Sequence, residues 1–347
     1  MTFVSDSKAP GIAIVGATGA VGQTLVELIG TRGLRHRGVR LAASARSAGR
    51  RIEVDGRTRT VEDLEGFDFS GTDIAFFSAG TSVSQKYARP AAAQGALVID
   101  NTNAFRMDPD TPLVVPQVNA DVLTGRPASG IIANPNCSTI PLVRLLRTVE
   151  QRWGIRQVVV STYQAASGQG EHGIAELREG AELVLHEPGA ELPADRFGKP
   201  LAFNVVPFID RLLETGFTME EQKMLQESRK ILGLPHLDVT TTCVRVPVVN
   251  SHSEAVWVEA TEPVDRAELV ARLAELPEVT VHDRDTLGAY PTPLTAGEPD
   301  HVHVGRVRVA PHNPRGFWLW LVADNLRIGA ALNAVQIAET VLDRGLL

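Results

Sequence analysis

The chain has 347 residues, of which 44% are apolar and 22% charged, with a net charge of −7. That length exceeds what one hydrophobic core usually serves and predicts two domains. The acidic balance argues against nucleic acid as the main partner, and no apolar run reaches bilayer-spanning length, so no membrane partner is expected.

The first ten residues, Met1 to Pro10, carry no signal-type stretch and read as a short frayed extension on a cytoplasmic protein. Gly11 to Val15 is a short apolar, partly β-branched run, read as a buried strand. The turn Gly16-Ala17-Thr18-Gly19-Ala20-Val21-Gly22 follows, and Val21, Leu25, Leu28 and Ile29 then fall on one helical stripe. Strand, glycine turn and helix are the context in which such glycines let a backbone approach a pyrophosphate at a helix N-terminus. Gly16, Thr18, Gly19, Ala20 and Val21 are therefore candidate cofactor contacts; the bland alternative is an ordinary tight turn.

Residues 39–43 read as a second strand, ending in Ser44-Ala45-Arg46-Ser47. An acidic residue for the ribose hydroxyls is missing there. Ser44, Arg46 and Ser47 offer small donors and a cation suited to a 2′-phosphate, which points to NADP rather than to a solvated loop arginine. Residues 74–78 and 97–99 read as strands with a helix over 84–94 between them, so repeated βα units predict a parallel sheet covered on both faces.

An apolar run at 131–133 stops at Asn134-Pro135-Asn136, and a stripe of Leu142, Leu145, Leu146 and Val149 follows. Pro141 fits only the first turn of that helix. Cys137 thus stands at or just before a helix N-terminus, where partial positive charge favours a thiolate and free N–H groups suit an oxyanion. Most lone cysteines are buried and inert, and Cys243 is read that way. With two cysteines in the chain and no CxxC or HExxH pattern, a reducing compartment and no metal are expected.

Beyond Cys137, strands at 157–164, 240–249, 255–260 and 317–323 mix with helices at 173–185, 219–232 and 265–275, which predicts an α+β domain on a mixed or antiparallel sheet. Gly189 to Pro200 reads as a surface loop, and residues 325–342 return to helix, with Ala330, Ala334, Ile337, Ala338 and Val341 on one stripe.

The runs Gly16 to Gly22, Ala43 to Gly49, Phe77 to Gly80, Val98 to Thr102, Asn134 to Thr139, Ser161 to Ala165 and Cys243 to Val248 together resemble aspartate-semialdehyde dehydrogenase of the bacterial type. The resemblance extends from about Gly11 to Val341, and it rests on the number and order of these runs rather than on any one. It implies a Rossmann-type NADP-binding domain (1–136 and 325–347) and an α+β catalytic and dimerisation domain (137–324), with the C-terminal helix returning to the first domain and two copies forming a homodimer. It also implies reductive dephosphorylation of L-aspartyl-4-phosphate by NADPH through a thioester, in the biosynthesis of lysine (through diaminopimelate), threonine, methionine and isoleucine.

Residue by residue, the resemblance implies that Cys137 is the nucleophile, His252 the acid/base and Gln164 the residue that orients the intermediate. An imidazole that titrates near neutrality would suit proton transfer. Arg245 matches a clamp for the α-carboxylate, a bidentate task for guanidinium. Arg106 and Lys223 match the phosphate site, and Glu220 the residue facing the substrate ammonium. Glu220 and Lys223 lie at i and i+3 and so share a helix face, whereas Glu221 points about a quarter turn away; a surface salt bridge is the bland alternative. Ser167, Gly168 and Asn325 match the nicotinamide end of the cofactor site, and Thr81 a place beside the cofactor.

Arg245 and His252 are an odd number of residues apart, so on one unbroken strand they would face opposite sides. A shared site requires a bend at Pro247 or at Asn250-Ser251. Three rivals share parts of the pattern. N-acetyl-glutamyl-phosphate reductase would carry Gly-Cys-Tyr around the nucleophile, glyceraldehyde-3-phosphate dehydrogenase would favour NAD and an acidic residue near Ser44, and a non-catalytic NADP sensor would have no need of Cys137, Gln164, Arg245 and His252 together.

Overall fold

A computed structural model describes residues 9–187, 189–282 and 288–347; most of the expected N-terminal extension lies outside the described residues. The chain divides into two compact units, one running to Asn136 and including Ala330–Leu347, the other Cys137–Gly329.

In the first unit, β1 (Gly11–Val15), β2 (Gly38–Ala43), β3 (Arg51–Val54), β4 (Arg57–Asp63), β5 (Ile74–Phe77), β6 (Leu97–Asp100) and β7 (Ile131–Ala133) form one sheet in the order β3-β4-β2-β1-β5-β6-β7. All neighbours pair in parallel except β3 with β4. β1, β5, β6 and β7 are buried along their whole length, which explains their unbroken apolar runs. The helices of this unit are α1 (Ala20–Thr31), α2 (Thr81–Ala93), a single turn α3 (Pro116–Asn119) and the last helix of the chain, α8 (Leu332–Asp343). The stripe of α8 is buried, and Asn333 Nδ2 donates to the Val114 carbonyl (2.9 Å) and to Asn134 Oδ1 (2.7 Å), tying the helix to the chain on either side of β7.

The hairpin β3–β4 was not expected. Its turn is Asp55-Gly56, with φ 50° and 69°, the two left-handed residues that a two-residue hairpin turn requires. The dipeptide carries the signal, but the strands beside it are rich in arginine and threonine rather than in alternating apolar residues.

In the second unit, β8 (Ile155–Gln164), β9 (Asp238–Arg245), β10 (His252–Ala260), β11 (Val279–His282), β12 (Val302–Ala310) and β13 (Asn313–Ala323) form a mixed sheet in the order β11-β12-β13-β10-β8-β9. The helices here are α4 (Thr139–Trp153), α5 (Gly170–His186), α6 (Met219–Leu232) and α7 (Arg266–Ala274). The α6 helix starts in a capping box, with Thr218 and Glu221 bonding reciprocally.

Register fixes which side chains share the helix-covered face. Cross-strand rows run Val239, Val158, Val258, Phe317, then Thr241, Val160, Val256, Leu319, then Cys243, Thr162, Glu254, Leu321. One step further Gln164 pairs with Arg245, and His252 with Ala323. The face is therefore apolar along most of its length and polar at one end. The opposite face carries partly exposed aromatics, with Trp257 and Trp318 at 5.4 Å between centroids and Tyr163 and Trp320 at the same separation.

Three expectations shift. The strand expected over 240–249 stops at Arg245, because Val248 N–H turns back onto the Val246 carbonyl (2.8 Å) across Pro247. The helix expected from Asn325 begins as a π-helical turn, Arg327–Ala331, before α8. Asn325 itself lies in the second unit rather than the first, since Asp324 Oδ1 accepts the N–H groups of Leu326 and Arg327, and Arg327 pairs with Asp300 at 2.6 Å.

Candidate active site

The polar end of the second sheet is built by the bend foreseen between Arg245 and His252. After the turn at Pro247, Ala166 and Ser167 N–H groups donate to the carbonyls of Val248 and Val249. Ser251 then takes φ 72°, and β10 starts at His252 on the other side of β8. Two residues of opposite strand parity thus reach one face.

His252 is 1% exposed. Its Nδ1 accepts the Ala165 N–H at 3.1 Å, so the neutral ring carries its proton on Nε2, which has no hydrogen-bond partner among the described residues. Burial, reinforced by the Arg245 cation, depresses its pKa to about 3. Unlike a free imidazole, the ring is held neutral by its surroundings, and the group it presents is the Nε2 N–H.

Arg245 donates to the Ala165 carbonyl at 2.6 Å and lies over the Phe197 ring, 5.7 Å from its centroid. Burial pulls its pKa down, opposed by Glu220 and by Cys137. Phe197 belongs to the segment expected to be a surface loop, yet it is buried in a cluster with Ala166, Leu177 and Val206. Gly168 makes room for this cation: a Cβ there would meet Arg245 Nη1 at 2.6 Å and His252 Cε1 at 3.5 Å.

Gln164 is 1% exposed; its Nε2 donates to Glu220 Oε1 (3.0 Å) and its Oε1 accepts from Thr162 (3.2 Å). Glu220 Oε2 takes the Lys223 ammonium at 3.1 Å, and Asp210 Oδ2 takes it at 2.7 Å. Burial lowers the Lys223 pKa, but Glu220 and Asp210 outweigh it and leave the group raised and charged. Glu221 faces away from this network. It closes the cap of α6 and accepts the Cys243 N–H at 3.1 Å, fastening helix to strand. Cys243 is buried against Met224, and burial pushes its thiol pKa far up, which makes it inert.

Cys137 is partly buried, two residues before α4, and the N-cap residue Ser138 makes no side-chain capping bond to that helix. The π-helical turn passes close behind it: a Cβ on Gly329 would come within 2.7 Å of Cys137 Cβ and 2.9 Å of its Cα. Ser167 Oγ joins Asn250 (2.9 Å) and Asn325 (3.0 Å) in a polar cluster.

In the first unit, Gly16 has φ 90° and Gly22 packs where a Cβ would sit 2.1 Å from the Gly16 carbonyl oxygen. Gly19 is exposed and offers no side-chain cap to α1, so no side chain at that position covers the helix start. At the end of β2, Ser44 and Arg46 are exposed and Ser47 is buried, accepting from Thr18 Oγ1 at 3.3 Å. Thr81 opens α2 and donates to Asn103. Arg106 is 7% exposed, and its guanidinium holds the carbonyls of Asn134 (2.9 Å) and Asn101 (2.8 Å). Among the described residues no group of three or more His, Cys, Asp or Glu is arranged for a metal ion, and no helix is long and apolar enough to cross a membrane.

Residues 11–125 match the family model of the semialdehyde dehydrogenase NAD-binding domain, and residues 146–328 that of the semialdehyde dehydrogenase dimerisation domain. The Bacillus subtilis aspartate-semialdehyde dehydrogenase is 43% identical over 336 residues, 95% of this chain and 96% of the relative. The Aquifex aeolicus enzyme is 44% identical over 97% of this chain and 99% of its own length. A crystal structure of aspartate semialdehyde dehydrogenase II from Vibrio cholerae, complexed with ASA, superposes with a TM-score of 0.92 at 42% identity, covering 97% and 99% of the two chains. The chain belongs to the aspartate-semialdehyde dehydrogenase family. It is an oxidoreductase with a nicotinamide-cofactor domain followed by a dimerisation domain.

For a member of this family, several participants escaped the sequence reading. Gly329 carried a faint signal, an isolated glycine in a helical pattern. Asp100, fully buried, accepts from Ser84 (2.8 Å) and twice from Thr102, ordering the loop that leads to Arg106. Burial raises its pKa against those hydrogen bonds. Thr162, which braces Gln164, and Asp210 had no motif to mark them.

Proposed function

We propose that the protein converts L-aspartyl-4-phosphate to L-aspartate-4-semialdehyde with NADPH, and the reverse with phosphate, through a thioester on Cys137. The observation that supports this most is the convergence of Gln164, Arg245 and His252 on one sheet end, with the backbone of Gly329 against Cys137.

The helix N-terminus and Arg245 favour the Cys137 thiolate. The sulfur attacks the acyl carbon, the C–S bond forms, and the bond to the phosphate oxygen breaks. Arg106 and Lys223 hold the leaving phosphate, Arg245 the α-carboxylate and Glu220 the ammonium. The reduced nicotinamide, when bound, supplies a hydride to the thioester carbon. The resulting alkoxide expels the thiolate and leaves the aldehyde. His252 Nε2–H donates to the oxygen while it is anionic, in the manner of a neutral imidazole electrophile, and Gln164 orients the carbonyl.

The glycine turn, Gly16 to Val21, fits a pyrophosphate at the start of α1, and the exposed Ser44 and Arg46, with Thr18 and Ser47 behind them, fit a 2′-phosphate better than bare ribose hydroxyls. Ser167, Gly168 and Asn325 would serve the nicotinamide end, and Thr81 a neighbouring part of the cofactor. We further propose a cytoplasmic homodimer, formed through the partly exposed aromatic face of the second sheet, with a role in the biosynthesis of lysine, threonine, methionine and isoleucine.

The test is phosphate-dependent NADP reduction with aspartate semialdehyde. Turnover that needs both phosphate and aldehyde is expected. Tight NADP binding without turnover would favour a cofactor sensor instead.

A further inference from the structure

Lys223 is the cation assigned above to phosphate, yet its ammonium is already taken. Asp210 Oδ2 lies 2.7 Å away and Glu220 Oε2 3.1 Å away, so two carboxylates share one cation. The two are not held alike. The Glu220 side chain is 8% exposed and is also bonded to Gln164, at the centre of the polar network. The Asp210 side chain is 34% exposed and sits on the loop between Val206, which pairs with Arg245, and α6. Its backbone has φ 70°, an uncommon conformation for a residue with a side chain, and its Oδ1 accepts the Arg211 N–H. Arg211 in turn accepts Met219 N–H, so the loop is anchored to the first residue of α6 on one side of Asp210 and to β9 on the other. The one carboxylate with freedom to leave Lys223 is therefore aimed at it by an ordered loop.

We propose that Asp210 is a positioning residue that holds the place of phosphate: its carboxylate pairs with Lys223 until a phosphoryl group or inorganic phosphate arrives, and then gives way. This rests on the reading of Lys223 as a phosphate-binding cation. A carboxylate in that position keeps a partly buried ammonium charged and oriented when no substrate is present. It also competes with any anion for the same cation, and weak or singly charged anions lose that competition more readily than a phosphate dianion. Asp210 thereby sets affinity and selectivity for phosphate without touching the reacting carbon.

The Asp210→Asn substitution tests this with little risk to the fold, since asparagine tolerates positive φ and keeps the Oδ1 acceptor for Arg211. In aldehyde oxidation, the KM for inorganic phosphate is expected to fall about two- to fivefold, the worth of a partly exposed ion pair, with no rise in kcat and no change in the KM for aldehyde. In a Lys223→Ala background the Asp210→Asn effect should vanish, because the competition has lost its object. Inorganic phosphate alone should also raise the unfolding midpoint more in Asp210→Asn than in the natural chain. A phosphate KM that stays constant or rises in Asp210→Asn, while Lys223→Ala weakens phosphate strongly, overturns the proposal and spares Lys223. A phosphate KM unmoved by Lys223→Ala overturns the assignment of Lys223, and the proposal with it.

Discussion

On the proposed function, the glycine turn of the first unit and the polar sheet end of the second would recognise charge in opposite ways. At Gly16 to Gly22 the binding groups are backbone, and the side chains matter chiefly by being absent: a Cβ at Gly22 would collide with the Gly16 carbonyl at 2.1 Å. At the sheet end the binding groups are side chains from β8, β9, β10 and α6, and each is held by another charged or polar group. A backbone site is complete within one short stretch of chain. A side-chain site exists only after register, bend and helix docking have brought distant residues together, and it carries the desolvation cost of the charges it buries.

The contrast is sharpest where the second site borrows the first one's device. Gly329 lets a backbone pass behind Cys137 as Gly22 lets a helix pass behind Gly16. Gly329→Ala is expected to displace Cys137 and reduce kcat/KM about 100-fold, with the fold retained by circular dichroism. Undiminished activity would mean that the position of Cys137 does not depend on that turn.

A second difference lies in buried charge. Glu254 stands one row behind Gln164 and His252, fully buried, and neither carboxyl oxygen has a hydrogen-bond partner among the described residues. Burial pushes its pKa well above the usual carboxylate value. A folded pKa above the unfolded one contributes stability that is present below the unfolded value and is lost as pH rises through the folded one. The natural chain should therefore lose stability as pH rises above the unfolded carboxylate value, and Glu254→Gln should lack that slope and be the more stable of the two above neutrality. His252 runs the other way: with its pKa depressed to about 3, its contribution is lost as pH falls below the unfolded histidine value, so the comparison is best made above pH 6.5. Parallel pH slopes of chemical denaturation for the two proteins would contradict a protonated Glu254.

The smallest effect is expected where a side chain assists the backbone site. Arg46 is exposed, and its proposed partner is a solvated 2′-phosphate. Arg46→Ala should raise the KM for NADP about tenfold and leave that for NAD within a factor of two. Equal effects on both would remove Arg46 from cofactor selection.

The same contrast explains what could be read from sequence. The strand, turn and helix from Gly11 to Ile29 were legible because periodicity and glycines act over a few residues. Cys137 was legible through Pro141, which fixes where α4 can start. The bend between Arg245 and His252 followed from parity alone, once both were assigned to one site. The neutral state of His252 was not legible, since it depends on the Ala165 N–H and on burial beneath other elements. Asp210 and Gly329 were missed because each acts through a residue far away in sequence. The hairpin at Asp55-Gly56 was missed although its turn was written in the chain, because its strands lack an apolar alternation.

The central claim is that Cys137 carries the acyl group. With aspartate semialdehyde and NADP but no phosphate, the thioester should form and stall. Intact mass spectrometry should then show one aspartyl group per chain, mapped to the peptide containing Cys137 and released when phosphate is added. An adduct on Cys243, or turnover that persists in Cys137→Ala with no adduct at all, would contradict it.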